Sequence, residues 1–249
     1  MHLTKGDTIY CHSAIGYFGR LHDCHSADDL CECFFDSIFE IIGDSGTLIV
    51  PTYTHSFPKN EIFNPNTSVS KMGIFSEWVR KHQDSLRVID PCYSVSVVGK
   101  NKEHFIKNPT ENSFGKNSVF DKFFNLNGRI LCFNFPGNTF IHYIERKLNV
   151  NYRFDKIFYG LIEENGVLVD AKSIIYVRFL SDDSLEHTPI NYEIEGRKSG
   201  LIKSVKLGRG EMSSVSSQGV HETISNNIKN RPYFLTKAEE MGISSPKIF

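Results

Sequence analysis

The chain has 249 residues, 40% of them apolar and 23% charged, with a formal charge of −1. This length suits one large domain with ample core material, and the near-zero charge argues against bulk capture of nucleic acid or of an anionic membrane. No run approaches the ~18 apolar residues of a membrane span, and Met1-His2-Leu3-Thr4-Lys5 lacks the apolar stretch of a signal peptide, so a cytoplasmic protein is expected, with no membrane insertion.

Thr8-Ile9-Tyr10-Cys11-His12 reads as a short buried strand, followed by the small-residue loop Ser13-Ala14-Ile15-Gly16-Tyr17-Phe18-Gly19. From Ser26 to Ile42, Leu30, Phe34, Ile38 and Ile41 recur at helical spacing, with Ser26 as the N-cap and Gly43 as the stop. Thr47-Leu48-Ile49-Val50 is a second strand closed by Pro51, and Ile74 to Arg80 reads as a helix after a loop rich in Pro and Asn. Tyr93 to Val98 and Arg129 to Phe135 supply further strands. This alternation of strand and helix predicts an α/β fold.

Beyond about Tyr159 the texture changes. Gly160 to Val169 and Ile174 to Leu180 read as antiparallel strands joined by an Asn165-Gly166 turn, the strongest hairpin signal in the chain. Val205-Lys206-Leu207 adds another strand, Val220 to Ile228 a helix, and Pro232-Tyr233-Phe234-Leu235 leads into a last short segment. The expected organisation is a single domain over 1–249, with an α/β body over about 1–158 and a β-rich lobe with a C-terminal helix over about 159–249. Of the six cysteines, Cys11 and Cys132 sit in strand-like apolar runs. Cys24, Cys31 and Cys33 lack the CxxC pairing of a zinc site, so reduced structural thiols are expected and no metal.

Three constellations can carry chemistry. The small residues after the first strand allow close backbone approach to a ligand, and N–H groups there can hold phosphate oxygens, although an ordinary strand-to-helix turn has the same texture. In Asn138-Thr139-Phe140-Ile141-His142-Tyr143-Ile144-Glu145, Asn138 or Thr139 can cap a helix and place His142 in its first turn, where the positive helix end favours a neutral imidazole. A neutral imidazole can act as a general base, and Glu145 lies three residues on along the same face; a core histidine beside a surface glutamate is the plain alternative. Asp90 before Pro91 is held extended at a turn, where a carboxylate either orders the loop or meets a cationic or hydroxylated ligand. Nothing beside Cys92 lowers its pKa as a nucleophile requires.

Several elements occur together and in order: Gly6-Asp7 with the His12-Ser13 loop, Gly46 to Thr54, Asn64-Pro65, Met72-Gly73, Asp90-Pro91 with Ser94 and Gly99, Phe114-Gly115, and Thr139 to Glu145. Over roughly residues 5–160 this resembles the aminoglycoside 3-N-acetyltransferase family. The resemblance implies a three-layer α/β sandwich that binds acetyl-CoA, or another acyl-CoA, as co-substrate. It implies His142 as catalytic base with Glu145 as its acidic neighbour, Asp90, Ser94 and Tyr53 lining the substrate site, and His12, Ser13, Ala14 and Gly19 on the CoA side.

The chain departs from the family pattern in places. Many members carry a second hydroxyl where Ala14 stands, and drug-modifying members often have His or Asn where Asp90 stands. The Asp-Pro form resembles relatives encoded with bacterial surface-polysaccharide pathways. The expected acceptor is therefore the amine of a nucleotide-linked amino sugar, with an aminoglycoside antibiotic as the alternative and a homodimer as the assembly to test. A metal-dependent hydrolase using His12, His55, Asp90 and His142, or a non-catalytic sugar-binding relative, are the rival readings.

Overall fold

The computed structural model describes residues 1–19 and 21–249. Its centre is β1 (Thr8–Ser13), an almost wholly buried run that lies parallel to both β2 (Thr47–Pro51) and β5 (Arg129–Phe133). Such strands are covered on both faces, which is why they read as continuous apolar runs. On one side β4 (Val95–Gly99) pairs antiparallel with β2, and the two-residue β3 (Leu86–Arg87) closes that edge. On the other, β9 (Gly210–Ser216) pairs antiparallel with β5, and β8 (Lys203–Leu207) forms the second edge. The order is β3-β4-β2-β1-β5-β9-β8.

Strand periodicity divides the core into two layers. Ile9, Cys11, Leu48, Val50, Leu131 and Phe133 face α1 (Ala27–Ile42) and α2 (Ile74–Lys81), meeting Phe34, Ile38, Phe75 and Val79. Tyr10, Ile49, Ile130 and Cys132 face the opposite way. They join Phe105 of α3 (Lys102–Ile106), Phe120 and Phe123 of α4 (Val119–Asn125), Ile141 and Ile144 of α5 (Ile141–Lys147), Tyr192 of α6 (Ile190–Lys198), Val220 and Ile224 of α7 (Ser217–Ile228) and Ala238 of α8 (Lys237–Glu240). The expected three-layer α/β sandwich is present.

Local signals explain the element ends. At the start of α1 the Ser26 hydroxyl accepts from Asp29 N at 3.0 Å, while Asp29 accepts the Ser26 N–H at 2.9 Å. This reciprocal cap satisfies two donors that a helix start otherwise leaves open. Asn165 and Gly166, with φ of 51° and 79°, form the tight turn between β6 (Arg153–Glu164) and β7 (Val167–Arg178). The hairpin runs twelve residue pairs, from Arg153↔Arg178 to Glu164↔Val167, and its inner side packs Ile162 and Ile175 on Phe57, Phe63 and Cys92.

Several expectations need correction. β8 and β9 belong to the central sheet, so the β-rich part beyond about residue 158 that stands outside it is the β6–β7 hairpin alone. β9 escaped the sequence reading because Ser213 and Ser214 look like loop residues, although both are buried against β5. Tyr93 and Ser94 lie before β4: Asp90 Oδ1 accepts the N–H groups of Cys92 and Tyr93, both at 2.9 Å, and holds that turn out of the ladder. The residue before α5 is Phe140, with no side-chain cap, so neither Asn138 nor Thr139 plays that part.

Because β1, β2 and β5 run parallel, their carboxyl ends emerge on one edge of the sheet, where open α/β sheets gather their ligands. Ser13, Thr52-Tyr53 and the segment from Asn134 to Phe140 all leave from that edge.

Candidate active site

α5 carries the candidate centre. His142 Nδ1 lies 2.6 Å from Glu145 Oε2, three residues along the helix. Glu145 is completely buried, and two further groups serve its carboxylate. Tyr152 donates its hydroxyl to Oε1 at 2.8 Å, and Arg153 Nε lies 2.8 Å from Oε2. Burial raises the pKa of Glu145, but the Arg153 cation and His142 more than offset it and hold the carboxyl far below its usual range. An ionised Glu145 accepts, so Nδ1 of His142 is the protonated nitrogen and Nε2 carries the lone pair. Burial and the Arg153 cation lower the His142 pKa against the pull of Glu145, so the ring is neutral near pH 7. Its side chain is 18% exposed, enough to meet a ligand.

A fifth residue stands at this centre. The His187 ring lies 5.1 Å from that of His142 at 75°. One ligand-type atom from each of His142, Glu145 and His187 falls within 4.8 Å of the others, the one such cluster among the described residues. Arg153 sits on Glu145 and opposes a further cation there. The rival set of His12, His55, Asp90 and His142 does not form such a cluster.

The residues expected to meet ligands divide into two groups. Ser13 and Ala14 line an open cleft of about 940 Å³ together with Tyr17, Gly73, Asn134 and Arg209. The Ser13 hydroxyl is buried behind this lining with no hydrogen-bond partner among the described residues. Gly19, at φ 100°, backs the Arg209 side chain, which would stand 3.4 Å from a Cβ at that position. Past Gly73 and Ile74 the cleft continues into a second, of about 740 Å³, walled by Cys31, Trp78, Lys81 and His82.

The other group consists of internal fasteners. His12 is buried, its pKa is pushed down to about 3 by burial, and its Nε2 accepts Thr139 N–H at 3.3 Å. It thereby satisfies an amide ahead of α5 and ties the end of β1 to that helix. Tyr53, also buried, shares a 2.5 Å hydrogen bond with Tyr10. Ser94 donates to Thr52 O at 2.7 Å and accepts from Arg87 at 3.1 Å, deep in the β2–β4 seam. These three hydroxyl and imidazole groups are spent on protein partners. Asp90 orders its turn with Oδ1, leaving Oδ2 uncommitted to backbone, and burial raises its pKa. All six cysteines are unpaired, and burial pushes the Cys92 thiol up to about 12, unsuited to a nucleophile.

Sequence reasoning missed Tyr152, Arg153, His187 and Arg209. A buried Glu145 demands a cation, and that demand could have found Arg153, the first arginine beyond the helix. Arg146, nearer in sequence, pairs with Asp155 at 2.7 Å instead.

Comparison with known proteins agrees with this architecture. The binary complex of AAC-IIIb with CoASH has a TM-score of 0.77 at 18% identity over 92% of both chains. The AAC(3)-IVa apoenzyme gives 0.72 at 20% identity, over 96% of this chain and 88% of that one. The YokD protein from Bacillus subtilis gives 0.71 at 18% identity, over 90% and 93%. No curated protein matches the chain. The family model described as aminoglycoside 3-N-acetyltransferase matches residues 11–228, and on that span the chain belongs to this family.

Proposed function

We propose that the chain transfers an acetyl group from acetyl-CoA to the amine of an amino sugar, with His142 as general base. The observation that carries this reading is the neutral His142 ring, fixed through Nδ1 to a buried, ionised Glu145. An ammonium cannot attack a thioester because its lone pair holds a proton. As the neutral amine attacks the carbonyl carbon, His142 Nε2 takes a proton from nitrogen and Glu145 stabilises the imidazolium that forms. The C–S bond breaks, the amide remains on the sugar, and the proton passes to the departing thiolate, which leaves as CoA thiol. No covalent enzyme intermediate is required.

The paired clefts suit the co-substrate. The two clefts share Gly73 and Ile74, and Lys81, His82 and Arg209 on their walls suit an extended molecule bearing phosphates, with Asp28 and Glu77 also lining the second. Ser13 and Ala14 on the first cleft follow His12, whose Nε2 accepts the Thr139 N–H ahead of α5. Arg209→Ala is expected to weaken CoA binding by about 10- to 100-fold in calorimetry, the usual scale of a charge-assisted hydrogen bond. Unchanged affinity would place the phosphates elsewhere.

For the acceptor, a nucleotide-linked amino sugar of the kind built into bacterial surface polysaccharide is favoured by the Asp90-Pro91 form. Thiol release from acetyl-CoA across nucleotide-linked amino sugars and aminoglycosides tests this. Faster turnover of a sugar nucleotide is expected. Far more efficient turnover of kanamycin-type acceptors would reverse the assignment, and thiol release with no amine would overturn the transferase reading.

A further inference from the structure

His187 sits beside the base, yet the reaction as described gives it no task. It enters from the segment before α6, where His187 and Thr236 form an isolated β-bridge and Thr188 N donates to Leu235 O at 3.0 Å. Its Nδ1 is sealed from solvent with no hydrogen-bond partner, although the residue as a whole is only part-buried. The Leu235 carbonyl beside the ring favours a proton on it, while burial and the neighbouring His142 hold the pKa down to about 3. The ring is therefore neutral. A neutral imidazole keeps one nitrogen bare as an acceptor, and a ring nitrogen of His187 lies within 4.8 Å of ligand-type atoms of both His142 and Glu145.

Two neutral imidazoles at one opening match the hydrogen count of one kind of nucleophile. A primary amine attacking a carbonyl directs its lone pair at carbon and has two N–H bonds left. A hydroxyl has one O–H bond, and a neutral secondary amine one N–H bond. We infer that His187 orients the acceptor and selects primary amines, accepting one N–H bond while His142 removes the proton from the other. This rests on the transferase reading above. An acceptor with a single hydrogen leaves either His142 or His187 without a partner in a part-buried site, and sites built to bond a group reject analogues that lack it.

The test compares His187→Leu with His187→Gln, using the amino sugar that the wild-type enzyme turns over best and its N-methyl derivative. Leu and Gln are close in size, but Gln offers an amide oxygen as acceptor, so the pair separates hydrogen bonding from space. In His187→Leu, kcat/KM for the primary amine is expected to fall about 10- to 100-fold, with a much smaller loss for the N-methyl acceptor. The wild-type preference for the primary amine should collapse, CoA affinity should stay unchanged, and His187→Gln should restore part of the preference. A packing role lowers both acceptors alike. An unchanged ratio in His187→Leu, or equal behaviour of the two variants, overturns the proposal while leaving the transferase reading intact. Failure of the wild-type enzyme to acylate any amine removes the reading and this inference together.

Discussion

His142→Gln is expected to lose about 10²–10⁴-fold in turnover while binding acyl-CoA nearly as tightly as the wild type, because a general base acts on the proton in flight and not on the cofactor. Glutamine keeps a side chain that can reach Glu145 but has no basic nitrogen. The wild-type pH profile carries a matching signature. Protonated His142 cannot accept a proton, so turnover falls as pH drops through its pKa. That value is lowered by burial and by Arg153, so the acid limb should lie below the ordinary histidine value of about 6.5. Glu145→Gln removes the one neighbour that raises the His142 pKa and should weaken the base further. Melting temperature and turnover measured on the same preparation decide the matter: near-normal turnover in folded His142→Gln protein would overturn the mechanism.

Arg153→Met is expected to destabilise the fold by about 3–5 kcal/mol, the usual cost of stranding one member of a buried ion pair. For a chain of this size that corresponds to a fall in melting temperature of roughly 6–20 °C. The carboxylate left behind is fully buried, and its remaining partners, Tyr152 and neutral His142, donate hydrogen bonds but supply no charge. Combining Arg153→Met with Glu145→Gln removes the stranded charge, so the double variant should be more stable than Arg153→Met alone, though inactive. Scanning calorimetry on the two variants distinguishes this from loss of packing by the arginine stem. Packing loss alone would leave the double variant no better than the single one.

How much of this was legible in the sequence depended on the range of the interaction. The start of α1 was readable because Ser26 and Asp29 form their cap within one turn, and the hairpin because Asn165-Gly166 forms a turn on its own. His142 and Glu145 were readable for the same reason, being three residues apart on a helix. Arg153, His187 and Arg209 come to the site through the tertiary fold, and no spacing announces them. His12 was read at the end of its strand, but the roles of His12, Tyr53 and Ser94 could not be read. A polar side chain at a sheet edge faces a ligand or a neighbour according to what packs opposite, and here Thr139, Tyr10 and Arg87 occupy those positions. β9 shows the same limit for the fold, since its serines are buried only because β5 lies beside them.

The strand order of the central sheet has a consequence for how the molecule is made. β1 ends at Ser13, yet its partner β5 begins only at Arg129, and β5 is covered on its far side by β9, which ends at Ser216. A ribosome adding about 5–20 residues per second leaves the apolar edge of β1 waiting several seconds for β5, and β5 waiting again for β9. Pairings so distant in sequence also carry a large loop-closure cost before they are rewarded, which slows folding. The nascent chain therefore spends that interval with an open hydrophobic edge, the state that chaperones recognise, and the His142 helix can be locked in place only after β1 and the residues ahead of α5 have met.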